Sequence, residues 1–335
     1  QVARGLYGTL IVDEPDSVFD REHDITLLLD DWQLNRDGSF NVAGLGSLGE
    51  WSHGGRFGNW VTVNGGDVRR TFSVNAGEAY RIRLINAANA RVFGLDPNQM
   101  GAKVIAYDGQ MLPAPVTLSY APLLLAPAQR VDLLLTPKTG DRLRMSARGD
   151  LAIFAASGRP EMYFAEFESQ GTGTAASVML PKPNNLPEPD LSSARKVSIL
   201  MEGGAMGQTG KVIYNGKEIS GDEFLETKQV WTFNSIANLA KEPVFRAKRG
   251  ESVENTFTNR TGWLHGMHVH GHHFRILDRS ESDIDEGRPW RDTFVIGPDQ
   301  ITRIAFVADN PGKWLLHCHM LEHAAAGMNT WFEVV

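Results

Sequence analysis

His317-Cys318-His319-Met320-Leu321-Glu322-His323-Ala324-Ala325-Ala326-Gly327-Met328 is the most informative stretch of the chain. Cys318 is the only cysteine in 335 residues, so it has no internal disulfide partner. On an extended strand, neighbouring side chains point to opposite faces and residues two apart share a face. His317 and His319 then point one way and Cys318 the other. One short strand can thereby serve two different metal sites, with a thiolate on one side and two imidazoles on the other.

A second stretch mirrors the first: Leu264-His265-Gly266-Met267-His268-Val269-His270-Gly271-His272-His273-Phe274. Of ten histidines, only His23 and His53 lie outside the span from His265 to His323. His268 and His270 share a face, and His265 has the opposite parity. Two ligand sets follow. His265, Cys318, His323 and Met328 offer two imidazoles, a thiolate and a thioether, the set of a blue-copper electron-transfer site. Zinc is the competitor, but structural zinc prefers Cys and His, and a thioether is a poor zinc ligand. His268, His270, His317 and His319 form an all-imidazole set, which suits copper, zinc, iron or nickel. His272 and His273 fit neither set and read as neighbours of ligands or surface residues, as do His23 and His53. Ligand histidines commonly donate their second N–H to a carboxylate or carbonyl. Glu322 and Asp292 are the candidate carboxylates, each set against a plain surface charge.

Around these motifs the chain reads as all-β. Period-2 stretches such as Ile25-Thr26-Leu27-Leu28-Leu29, Tyr80-Arg81-Ile82-Arg83-Leu84, Val131-Asp132-Leu133-Leu134-Leu135 and Val197-Ser198-Ile199-Leu200 alternate with Gly, Pro, Asn and Asp. Short strands with frequent turns indicate a sandwich or barrel. Residues 169–195 hold Gly171, Gly173, Pro181, Pro183, Pro187 and Pro189, and read as a linker. An internal repeat relates the two sides of that linker. Gly77-Glu78 precedes Asn86 as Gly250-Glu251 precedes Asn259, and Pro127-Ala128-Gln129 matches Pro298-Asp299-Gln300. The first copy has Ser146-Ala147 near where the second has His-Cys-His, so it reads as scaffold without metal chemistry.

The two histidine motifs resemble the C-terminal copper motifs of multicopper oxidases, the family of laccases, bilirubin oxidases, ascorbate oxidases and cuprous oxidases. Ser52-His53-Gly54-Gly55-Arg56 with Thr62-Val63-Asn64-Gly65, and Ala76-Gly77-Glu78 through Leu84-Ile85-Asn86-Ala87, resemble the middle domain of bacterial members. The resemblance implies two cupredoxin-like Greek-key domains: a middle one at 19–168 without copper ligands and a C-terminal copper-binding one at 196–335. Residues 1–18, with Ala3-Arg4-Gly5-Leu6-Tyr7-Gly8-Thr9-Leu10-Ile11-Val12, resemble the last strand of a truncated first domain. It implies copper as cofactor, with His265, Cys318, His323 and axial Met328 at type 1 copper. His268 is implied at type 2 copper, and His270, His317 and His319 at the type 3 pair. Cys318, His317 and His319 would carry the catalytic wiring. Full members add two further His-x-His pairs, whereas this chain has none before residue 268. The isolated chain is therefore expected to be inactive as an oxidase, with the first domain of the same protein as its missing partner.

The implied partners are oxygen and a small-molecule or metal-ion electron donor (phenol, aromatic amine or metal). Met328 at the axial position implies a modest potential within the family. Ala324 stands where some cuprous oxidases carry an acid, and no dense Met-rich insert is present. The implied location is periplasmic or otherwise extracytoplasmic. A formal net charge of -7 and the lack of a basic patch argue against nucleic acid. No apolar run approaches the ~20 residues of a membrane span. The competing reading is a non-catalytic cupredoxin module that binds copper or carries electrons. A nitrite-reductase-like enzyme fits poorly, because it spaces the cysteine and second histidine more widely and does not flank the cysteine with histidines.

Overall fold

Alternating apolar residues turn one face of each strand inward, and the described strands build two units of that kind. A computed structural model describes residues 1–14, 17–119, 122–150, 162–175, 178–207, 210–280 and 288–335. One unit comprises Gln1–Leu34 with Gly58–Asn184, the other Asn35–Phe57 with Asn185–Val335.

The first unit has a six-stranded and a five-stranded sheet. The larger runs Trp60–Val63, Asp24–Trp32, Tyr80–Asn86, Arg130–Leu135, Lys103–Tyr107, Gln110–Val116. The smaller runs Arg70–Asn75, Met162–Gln170, Arg142–Asp150, Phe93–Leu95, Leu123–Leu125. In Tyr80–Asn86, Tyr80, Ile82 and Leu84 enter the core with Leu27, Leu29, Val131 and Leu133. The intervening Arg81 and Arg83 meet Asp24 on the other face. Burying each large apolar side chain stabilises the sandwich by roughly 1.5–3 kcal/mol.

The second unit repeats this order. Its six-stranded sheet runs Trp231–Phe233, Arg195–Gly203, Glu251–Asn259, Ile301–Ala308, Phe274–Arg279, Trp290–Arg291. Its five-stranded sheet runs Arg246–Ala247, Asn329–Val334, Gly312–Cys318, His265–Val269, Thr293–Ile296. Even small devices recur. Asn64 and Asn234 both adopt positive φ and accept from the N–H of Leu28 and Leu200 respectively. Phe257, Phe274, Phe294, Phe306 and Phe332 fill the core. The folds are cupredoxin-like, and among the described residues no helix is long and apolar enough to cross a membrane.

Two stretches lie outside that repeat. Residues 1–18 hold a 3-10 turn at Val2–Arg4 and no strand at their described positions. A strand needs a ladder partner for its N–H and C=O groups, and no described strand pairs with this stretch. Residues 35–57 were expected in the middle domain, but they pack with the second unit. The physical reason is local: carbonyls of the short helix Leu48–Ser52 and its exit accept hydrogen bonds from residues of that unit.

Candidate metal centre

His265–Val269 and Gly312–Cys318 are neighbouring antiparallel strands, with Met267 opposite Cys318 and His268 opposite His317. This register, combined with side-chain alternation, sorts the seven donor residues into two groups. After Cys318 the strand ends, and a helical turn, Leu321–Ala325, folds His323 back.

In the first group, His265, Cys318 and His323 are fully buried and their donor atoms lie within 4.8 Å of one another. Cys318 Sγ is 3.6 Å from His265 Nδ1 and 3.7 Å from His323 Nδ1. The two Nδ1 atoms are 3.0 Å apart. Met328 is also fully buried and hydrogen-bonds through its backbone to Cys318 and His323. Burial pushes the Cys318 thiol up to about 12 and pulls His323 down to about 4. Burial, with His323 alongside, holds His265 well below its ordinary value. The protein alone therefore prefers a neutral thiol and neutral imidazoles.

Both imidazoles have their outer nitrogen occupied. His323 Nε2 lies 2.6 Å from the His53 carbonyl oxygen, which can only accept, so Nε2 carries the proton. His265 Nε2 lies 2.8 Å from Thr261 Oγ1. His323 Nδ1 is thus a lone pair, and the Nδ1 atoms of both rings face the sulfur. The buried Trp231 ring packs on His323 at 4.4 Å between centroids and on His265 at 5.2 Å. Its Nε1 donates to the Trp51 carbonyl at 2.7 Å.

In the second group, His268, His270, His317 and His319 converge from the same two strand ends. Ring centroids are 4.6 Å apart for His268 and His270, 5.2 Å for His270 and His317, and 5.4 Å for His317 and His319. His270 Nε2 faces His317 Nε2 at 3.1 Å. His317 Nδ1 donates to the Cys318 carbonyl, so its Nε2 is a lone pair. His268 Nδ1 is 3.0 Å from the Asp292 carbonyl oxygen and 3.7 Å from that residue's carboxylate. Burial pulls His268, His317 and His319 down to about 4.

The donor chemistry fits copper. Two imidazole nitrogens and a sulfur, stripped of water and with N–H ends tied outward, meet the needs of a soft thiolate–imidazole site. The facing nitrogens of His270 and His317 call for a cation or proton between them.

The rings of the other histidines join neither group. His272 is buried against Phe306, Trp314 and Phe332, a packing role. His273 lines a separate pocket with His272, Arg249 and Trp290. His23 sits between Asp20 and Glu78 in the first unit. Glu322 is buried, not a surface charge. His53, read as a neighbour of ligands or a surface residue, meets His323 through its backbone, and Trp231 was not singled out. The part His53 contributes to His323 is its carbonyl, which every residue possesses, and Trp231 looks like any apolar strand residue. The hydroxyl of Thr261 carried no motif.

Paired Greek-key sandwiches, one of them enclosing a Cys-His-His cluster beside a histidine quartet, define a protein of the cupredoxin fold with a copper-type donor set. Two family models, each described as Multicopper oxidase, match residues 23–161 and 219–335. The chain belongs to the multicopper oxidase family, whose cofactor is copper. It is 25% identical over 370 residues to Multicopper oxidase MmcO of Mycobacterium tuberculosis, covering 99% of this chain and 66% of that protein. It is 25% identical over 306 residues to Iron multicopper oxidase fer1 of Mycosarcoma maydis, covering 78% of this chain and 47% of that protein. A crystal structure of a multi-copper oxidase from Pseudomonas Thermotolerans superposes with a TM-score of 0.79 at 26% identity, over 100% of this chain and 73% of that one. The chain spans less than two thirds of the length of these two curated relatives.

Proposed function

We propose that this chain is the electron-accepting part of a multicopper oxidase that couples one-electron oxidation of a donor to reduction of oxygen to water. The observation that carries it is the pair of donor groups joined through one residue: Cys318 faces His265 and His323, while its covalent neighbours His317 and His319 face His268 and His270. In this reading His265, Cys318, His323 and Met328 would hold type 1 copper. His268 would contribute to type 2 copper, and His270, His317 and His319 to the type 3 pair. Copper bound there supplies one-electron acceptance and the redox chemistry of oxygen.

The chain's own residues do the rest. Cys318 offers two through-bond routes, one into each flanking histidine. His53 and Thr261 hold the outer nitrogens of His323 and His265. The Asp292 carbonyl orients His268, with its carboxylate nearby. Trp231, packed on His265 and His323, excludes water, which strengthens every charge interaction there. The donor class is a phenol, an aromatic amine or a metal ion, and the setting is periplasmic or extracytoplasmic.

Four imidazoles are half of the eight that a trinuclear centre uses in this family. The isolated chain is therefore expected to bind copper without reducing oxygen at laccase-like rates, acting alone as a cupredoxin module. Copper titration followed by visible and electron paramagnetic resonance spectroscopy tests the reading. The wild type should develop a thiolate-to-copper absorption, and Cys318→Ser should not. Colour that survives Cys318→Ser would overturn the assignment. Rapid oxygen uptake by the isolated chain would overturn the half-site argument.

A further inference from the structure

The two units form an internal control for the metal site. Asn86 and Asn259 end equivalent strands, and their backbone N–H groups donate to the equivalent carbonyls of Gln129 and Gln300. Each then folds its side chain back to close the same turn. Asn86 Nδ2 donates to the carbonyls of Arg91 and Leu125 at 2.7 and 2.8 Å, and its Oδ1 accepts from Ala88 N–H at 2.8 Å. Asn259 Nδ2 donates to the carbonyls of Trp263 and Gly297, both at 2.8 Å, and its Oδ1 accepts from Thr261 N–H at 2.9 Å. Ala88 thus stands where Thr261 stands. Phe93 pairs with Leu125 as His265 pairs with Ile296, so Phe93 stands where His265 stands. The unit without the donor cluster has an apolar residue at both places. The unit with it has a hydroxyl and an imidazole, 2.8 Å apart.

Elementary donor and acceptor roles order the hydrogen bonds of this turn. Backbone carbonyls only accept, so the Asn259 nitrogen must face Trp263 and Gly297. Its oxygen therefore faces Thr261. The Thr261 hydroxyl lies 2.7 Å from that oxygen, and two oxygens this close repel one another unless the hydroxyl proton lies between them, so the proton points to Asn259 and away from His265. What the hydroxyl offers His265 is a lone pair. His265 Nε2 must then be the N–H, and Nδ1 the lone pair turned toward Cys318 and His323.

We propose that Thr261 is a positioning residue, which holds His265 as the Nε2–H tautomer with Nδ1 presented to the metal. The proposal rests on the reading of His265, Cys318 and His323 as a copper site. It deepens that reading by assigning the group that sets the ligating atom. Thr261 is 3% exposed and touches the histidine, not the metal position.

Thr261→Ala is the informative variant, because Ala88 shows that the Asn turn closes with alanine at this place. Thr261→Ser restores the hydroxyl with less volume. The first readout is metal-free: nitrogen-15 histidine spectra of the full chain, with His265 assigned by its loss in His265→Gln. The wild type and Thr261→Ser should show a single His265 tautomer protonated at Nε2. Thr261→Ala should show a mixture, or the Nδ1–H form. The second readout is copper affinity, which should fall by roughly 10- to 100-fold in Thr261→Ala, as for other outer partners of ligand histidines, and recover in Thr261→Ser. An unchanged tautomer and affinity in Thr261→Ala would overturn the proposal. So would equal losses in the Ala and Ser variants, which would assign the effect to volume. Failure of the copper reading itself is read separately, from colour that persists in Cys318→Ser.

Discussion

The imidazole of His323 donates through Nε2 to the carbonyl of His53 at 2.6 Å, across 270 residues of sequence. Trp51 accepts from the Trp231 indole, and Ser52 from the Ala205 N–H, in the same short segment. The His53 ring meets Trp263 edge-on at 5.6 Å. The peptide around Leu48–Ser52 is thus a cap over the outer edge of His323, which has no exposed surface of its own.

The cap is held by a buried ion pair, and breaking it should open the site. Arg56 Nη1 meets Glu50 Oε1 at 2.6 Å with both side chains almost fully buried, and Nη2 donates to the Asn41 carbonyl. Removing one partner of such a pair costs about 3–5 kcal/mol, because a buried charge is left alone. Arg56→Ala in the metal-free chain should therefore raise the rate at which a neutral alkylating reagent modifies Cys318, the single thiol. Mass spectrometry over a time course reads it, and an unaltered rate would show that this pair does not hold the cap.

Trp231 supplies much of the wall of the first donor group. Trp231→Ala removes a fully buried ring and should destabilise the second unit by about 3–5 kcal/mol. Trp231→Phe keeps most of the ring but leaves the Trp51 carbonyl without its donor, a cost of about 1–3 kcal/mol. Urea unfolding followed by a probe in the second unit measures both. Equal costs would mean that the hydrogen bond, not the ring, carries the stability.

In the first unit, burial pushes the Asp30 carboxyl up to about 6, opposed in part by the Tyr7 hydroxyl that donates to it. Its ordinary value is 3.8, so the folded state binds the proton more tightly than the unfolded state. The stability this proton confers is fully present below about pH 4 and is lost as pH rises through about 6. Asp30→Asn keeps an acceptor for the Asp31 N–H and has no proton to release. The stability of the wild type relative to this variant should fall between about pH 4 and pH 6, then level off. A difference that is constant across that window would refute the burial argument.

Copper should stabilise one unit and not the other. Ligand at about 100 times its dissociation constant adds roughly 2.7 kcal/mol to the state that binds it. Calorimetry with and without copper should show the shift in the second-unit transition alone, and Cys318→Ser should lose most of it. A shift of the first-unit transition would point to a site among residues such as His23, Asp20 and Glu78.

Much of this was legible from residue order. Strand parity separated Cys318 from His317 and His319, and His265 from His268 and His270, and the coordinates sort these side chains in the same way. The repeat marked by Asn86 and Asn259 returned as two sheets with identical strand order. Residues 1–18 hold no strand at their described positions, and a strand depends on a neighbour that a local pattern does not supply. The membership of 35–57 was hidden for a related reason. Ser52-His53-Gly54-Gly55-Arg56 resembles a middle-domain motif, yet its carbonyls find their donors in the second unit. The sequence left Glu322, next to His323, between a carboxylate partner of a ligand and a surface charge, and the fold buries it.

Residue order alone determined which side chains share a face of each strand, because alternation along a strand is a local geometric property. Only the tertiary structure brought His323 back through the turn at Leu321–Ala325 and decided which nitrogens of His265 and His323 face Cys318. That choice belongs to the carbonyl of His53 and the hydroxyl of Thr261. A carbonyl is common to every residue, and a hydroxyl gains direction only from the groups folded against it, so neither leaves a trace in the sequence.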